Sequence, residues 1–170
     1  MANQAEQKYG SVMLILFWIV LLALLVWGFT DYLQRQTKPT ISDGQGFREV
    51  ELTRSQGSHY IAQGSINGHP VNFIVDTGAT LVALPASMKE QLSLTISGKG
   101  QARTAGGLIP IGYTRLDSVR IGNIELRNVS ASIDLSHTNS IDEVLLGMSF
   151  LRELELTQQD GKLRIRQYLP

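Results

Sequence analysis

The chain has 170 residues and a mass of 18.8 kDa, with 15 basic and 15 acidic side chains, no cysteine and a mean hydropathy of zero. That length suits one domain and excludes a large two-lobed enzyme. Balanced charge argues against a nucleic-acid partner, and the missing cysteines exclude a disulfide scaffold, a Cys-ligated metal and a thiol nucleophile.

A mean of zero conceals two unlike parts. Residues 12–29 read VMLILFWIVLLALLVWGF, an uncharged apolar run. As a helix it would be about 27 Å long, close to the hydrocarbon thickness of a bilayer. It is apolar on every face, which leaves no solvent side in a small globular domain. Tyr9, Trp27 and Tyr32 lie near its ends, where amphipathic rings favour the membrane interface. Length and lack of polarity count against a buried core helix. The run also exceeds the h-region of about 7–15 residues in a cleaved signal peptide, and no small-x-small cleavage site follows. The expectation is a tail over residues 1–11 and one transmembrane helix over residues 12–30. Lys8 before the span and Arg35 and Lys38 after it leave the positive-inside rule nearly tied, leaning against translocation of the C-terminal part.

Residues 34–46 are polar and carry Pro39, Gly44 and Gly46, so residues 31–46 read as a linker and residues 47–170 as a domain. From Phe47 onward, short apolar-rich segments alternate with turn signals, the punctuation of an all-β domain. Val50 and Leu52 alternate with charged neighbours. Residues 59–66 and 71–75 flank Asn67-Gly68, a type I′ hairpin signal because both turn positions need φ > 0. Residues 85–92 suggest a short helix with Pro85 in its first turn. Residues 101–104 and 109–113 flank Ala105-Gly106-Gly107-Leu108, a second hairpin with a flexible tip. Residues 116–121 and 124–133 flank Gly122-Asn123, a third. Residues 148–154 suggest a second short helix, and residues 155–158 and 162–166 surround Asp160-Gly161, a fourth hairpin. About eight strands in about 120 residues make a compact antiparallel barrel or sandwich.

The chemistry concentrates at Phe73-Ile74-Val75-Asp76-Thr77-Gly78-Ala79-Thr80. An apolar strand runs straight into a carboxylate, a hydroxyl and a glycine. A carboxylate at the end of a buried strand must be paired, hydrogen-bonded or protonated. Asp and Gly are also favoured turn residues, so an ordinary strand-to-turn junction is the plainer alternative.

The segment resembles the active-site motif of the aspartic proteases, in which apolar residues lead into Asp-Thr/Ser-Gly-Ala. Leu145-Leu146-Gly147, followed by Met148-Ser149-Phe150-Leu151, is similar to the second element of that fold. There, two apolar residues and a glycine cross behind the catalytic loop before a short helix. Thr104-Ala105-Gly106-Gly107 falls between the two, where the flap tip belongs. Residues 47–166 are covered, the size of a single retropepsin protomer. With its N-terminal apolar span, the chain resembles the bacterial membrane-anchored, retropepsin-like aspartic proteases. The resemblance implies a closed β-barrel protomer with one or two short helices, a polypeptide substrate and no cofactor. It also implies an inner-membrane anchor with the domain in the periplasm.

Aspartic-protease chemistry needs two carboxylates a few ångströms apart that share one proton. The chain has a single Asp-Thr-Gly; Asp43-Gly44 and Asp160-Gly161 lack the middle hydroxyl residue. The second carboxylate must then be Asp76 of another copy, in a C2 homodimer. On the resemblance, Asp76 is catalytic, Thr77 hydrogen-bonds across the dimer axis, and Gly78 places a backbone N–H near the dyad. Ala79 and the hairpin residues Thr104, Ala105, Gly106, Gly107 and Leu108 would bind an extended peptide.

Other constellations are weaker. His59, His69 and His137 are scattered and support no metal. No serine sits in a nucleophile elbow. Gly98-Lys99-Gly100 lacks the length of a phosphate loop. Asn128-Val129-Ser130 matches a glycosylation sequon but lies in a predicted strand, and Arg103, Arg115, Arg120 and Arg127 read as the solvated face of alternating strands. The competing function is a catalytically silent peptide-binding or dimerisation module of the same fold. An intact Asp-Thr-Gly-Ala favours the enzyme.

Overall fold

The computed structural model describes residues 3–37, 39–55, 59–136 and 143–169, with side chains described from Met13 to Thr30 and from Pro39 onward. Lys38, His137 and Pro170, and the side chains of Lys8, Tyr9, Tyr32 and Arg35, lie outside the described set. Two units divide the chain after Gln36.

The first unit is a helix, α1 (Asn3–Thr37). Its window Met13–Thr30 has a mean hydropathy of 2.6 and contains no buried residue. It is long and apolar enough to cross a membrane, and a signal sequence passes the same test. The described helix covers Asn3–Thr37, so residues 31–37 are helical. No proline or glycine interrupts residues 31–37.

Strand pairing begins at Thr40. β1 (Thr40–Gly44) pairs antiparallel with β2 (Phe47–Thr53), from Thr40 opposite Glu51 to Gly44 opposite Phe47. Gly46, at φ 84°, makes the tight turn between them, a conformation that glycine adopts without steric cost. β10 (Glu155–Gln159) and β11 (Lys162–Tyr168) complete a four-stranded sheet in the order β1-β2-β11-β10. Its two faces differ sharply. Val50, Leu52, Leu163 and Ile165 are buried on one. On the other, Glu51 accepts hydrogen bonds from Lys162 Nζ at 2.6 Å and Arg164 Nε at 3.0 Å. Glu49 holds Arg166, whose guanidinium also lies 4.4 Å from the centre of the Phe47 ring. Cross-strand pairs of this kind specify register more than they add stability.

The second sheet has seven strands: β3 (Ile61–Ile66), β4 (His69–Val75), β5 (Val82–Leu84), β6 (Gly98–Thr104), β7 (Gly107–Ile121), β8 (Ile124–Asp134) and β9 (Val144–Leu146). Their order is β3-β4-β9-β5-β8-β7-β6, and a further pairing of β3 with β7 closes the barrel. Closure brings β7 hard against β3, since a Cβ on Gly64 would lie 2.0 Å from the Arg120 carbonyl oxygen. Phe73, Ile66, Leu84, Leu116, Ile121, Ile133, Leu146 and Phe150 are fully buried and share a core with Val50 and Ile165 of the first sheet.

The architecture is the expected closed, mostly β fold, with eleven strands among the described residues rather than about eight. Asn67 and Gly68 both have φ > 0, as do Asp160 and Gly161, which is the I′ geometry. Several expectations need correction. The stretches at residues 109–113 and 116–121 are one continuous strand, β7, because its inner half pairs with β8 while its tip pairs with β6. The hairpin tip is the two residues Ala105-Gly106 rather than four, as Thr104 already pairs with Gly107. The helices are shorter than expected: α2 (Met88–Gln91), with Pro85 before it, and α3 (Met148–Leu151). The sheet is not wholly antiparallel either, since β4 runs parallel to β9 and β5 parallel to β8.

Candidate active site

Asp76 follows the last residue of β4, and the turn that holds it is built from backbone hydrogen bonds. The Asp76 N–H donates to the Leu146 carbonyl at 3.2 Å, tying the loop to β9 behind it. The Gly78 N–H donates to Asp76 Oδ1 at 2.8 Å, and the Ala79 N–H to the Asp76 carbonyl at 3.3 Å. An N–H directed at a carboxylate oxygen fixes its rotamer. The side chain is half-buried, and Thr77 and Gly78 are exposed.

β9 and α3 form the support. Met148 N–H donates to the Ala79 carbonyl at 2.8 Å and Ser149 N–H to the Thr80 carbonyl at 3.0 Å. The buried Ser149 hydroxyl accepts from the Val82 N–H at 2.9 Å and donates to the Ser130 carbonyl at 2.7 Å. The segment after Asp76 is thus pinned at four successive points to Leu145-Leu146-Gly147-Met148-Ser149.

In front of Asp76 lies a cavity of about 850 Å³. Asp76, Gly78, Ala79, Thr104 and Ala105 line it, so five of the nine expected site residues meet there. Thr77, Gly106, Gly107 and Leu108 do not. Leu108 instead stands 61% exposed near the hairpin tip. The Thr104 hydroxyl donates to the Gly107 carbonyl at 3.0 Å, closing that tip. Asp76 is the one carboxylate in the described lining, and Arg103, read as a solvated strand residue, lines it too. Ala83, Ile111, Tyr113 and Ser132 also line it, and sequence spacing does not foretell them because cross-strand pairing brings them together. Among the described residues no cluster of three or more His, Asp or Glu is placed to hold a metal.

Comparison with known proteins agrees with this architecture. A family model described as "gag-polyprotein putative aspartyl protease" matches residues 62–153, which include the Asp76 turn, the hairpin and α3. An uncharacterized protein of the cobV 5′ region in Sinorhizobium sp. is 32% identical over 130 residues, which is 74% of this chain and 55% of that one. The uncharacterized protein RP867 of Rickettsia prowazekii is 30% identical over 123 residues, 71% of this chain and 52% of that one. The chain therefore spans about half the length of the curated relatives it matches. In fold it is similar to the crystal structure of a retropepsin-like aspartic protease from Rickettsia conorii. The TM-score there is 0.58, with 24% identity over 76% of this chain and 94% of that one. The chain belongs to the gag-polyprotein aspartyl protease family and has its retropepsin-like fold.

Proposed function

We propose that the protein is a membrane-anchored aspartic endopeptidase that works as a C2 homodimer. One observation carries the reading. Asp76 is held by the Gly78 N–H at the base of an open cavity whose described lining has no second carboxylate. A site of this class needs two, and a two-fold axis through the loop supplies the other from a second Asp76. Two carboxyl groups that close cannot both ionise, so the pair shares a proton and titrates as a unit.

One carboxylate takes a proton from a bound water, whose oxygen attacks the scissile carbonyl carbon. The other carboxyl donates its proton to the carbonyl oxygen. Collapse of the tetrahedral species breaks the C–N bond, and the amine leaves with a proton returned from the dyad. Thr77, exposed beside Asp76, contacts its symmetry mate, and the Thr104–Leu108 hairpin covers the extended peptide and excludes water. The apolar window of α1 spans the inner membrane, and the domain lies on the periplasmic side.

The test is cleavage of a peptide library by the full-length chain in detergent from acidic to neutral pH, wild type against Asp76→Asn. The expected result is loss of activity by about a thousandfold or more in the variant, with sedimentation giving a dimer for both. Equal activity in both removes the catalytic role of Asp76. A fully active monomer removes the dimer. Silence in both, with a dimer present, favours a peptide-binding module.

A further inference from the structure

A strip of registered partners crosses the sheet beneath the cavity. Leu145 pairs with Ala83, Ala83 with Ser132, and Ser132 with Tyr113. Partners directly opposite in a ladder project from one face, and all four line the cavity. The strip is therefore tall at Leu145 and Tyr113 and low between them, where Ala83 and Ser132 carry almost no side chain.

Tyr113 is seated at the cost of the neighbouring strand. Its partner on β6 is Gly98, and two residues on is Gly100. A Cβ on Gly100 would lie 2.6 Å from the Tyr113 hydroxyl oxygen and 2.8 Å from Cε2. The aromatic ring thus lies lengthwise against bare β6 backbone. Neither glycine has a positive φ, so no turn explains a residue that weakens a strand interior. At Gly98 a Cβ would make only an ordinary contact of 3.7 Å with the ring; at Gly100 the ring requires its absence. Within Gly98-Lys99-Gly100, which is no phosphate loop, the second glycine has its explanation here. Tyr113 nevertheless keeps 40% of its surface exposed, an aromatic platform held flat beside an open trough.

We propose that Tyr113 is a specificity-determining residue of this site. It stacks against an aromatic side chain of the bound peptide, which lies over Ala83 and Ser132. The inference rests on the peptidase reading for its substrate class. A planar ring against a planar ring gains beyond the area it buries, whereas an aliphatic or small side chain in the same trough does not.

Two measurements on the full-length chain in detergent test it. The probes are fluorescein-labelled decapeptides of random sequence with Phe, Leu or Ala fixed at the centre. Cleavage by wild type should favour Phe over Ala by about tenfold in kcat/KM, mainly through KM. Tyr113→Phe should keep that preference. Tyr113→Leu, which preserves apolar bulk, should abolish it, as should Gly100→Ala by displacing the ring. Binding of the same probes to Asp76→Asn, read by fluorescence anisotropy, gives the preference without catalysis. Selective binding of Phe probes by a chain that cleaves nothing upholds Tyr113 and removes the peptidase reading. Cleavage or binding without aromatic preference, a preference unchanged in Tyr113→Leu, or no binding of any probe overturns the proposal.

Discussion

Gly147 stands so close to Leu81 that a methyl group on its α-carbon would lie 2.1 Å from the Leu81 carbonyl oxygen, and 2.7 Å from that of Ala79. Its backbone is extended, at φ −91°, so space and not conformation demands glycine. The loop after Asp76 can lie against β9 only because nothing projects there. Gly147→Ala should destabilise the fold by about 2–3 kcal/mol, measured by urea denaturation, and any peptidase activity should fall with it. A change below about 0.5 kcal/mol would mean that the loop yields freely.

Ser149 joins three elements through one hydroxyl, linking α3 to β5 and β8. Its replacement by alanine leaves the Val82 N–H and the Ser130 carbonyl without that partner. The expected loss is about 1–3 kcal/mol. Ser149→Thr, which keeps the hydroxyl, should lose less, and identical losses would show that packing alone matters at this position.

Glu51 is held below the usual carboxylate value of 4.5 by its hydrogen bonds to Lys162 and then Arg164. A carboxyl group depressed in the folded state adds stability above its unfolded value, and that contribution is lost as pH falls through the folded one. Thermal melts should therefore show stability declining from about pH 4.5 downward, and Glu51→Gln should make this decline shallower while slightly lowering the melting temperature at pH 7. An acid limb of unchanged slope would show that the pair on this exposed sheet face is uncoupled from folding.

The described residues of the shared core run from Val50 to Ile165. Removal of residues 1–36 should leave thermal unfolding cooperative and move the protein from the membrane fraction to the soluble one. Persistent membrane association would locate the anchor elsewhere, and loss of the cooperative transition would give α1 a part in folding.

The hairpins at Asn67-Gly68 and Asp160-Gly161 were legible because local chemistry dictates them: both turns need positive φ twice, and few other residue pairs supply it. The Asp76 turn was legible for a similar reason, as its hydrogen bonds to Gly78 and Ala79 span two and three residues. β5 and β9 are three residues each, too short to carry a period, and their parallel partners are distant in the chain. β1 looked like a linker because its residues are polar and mostly exposed; only its ladder with β2 makes it a strand.

By itself the sequence determined an apolar N-terminal helix, an all-β domain and a strand that delivers one carboxylate into a glycine turn. These follow from composition, alternation and turn chemistry, which act over a few residues. Only the tertiary structure decided that the barrel closes through β3 and β7, that Gly147 clears room for Leu81, and that Tyr113, Ser132 and Ala83 form one floor. Those relationships depend on register between distant strands, where a shift of one residue turns every side chain to the other face.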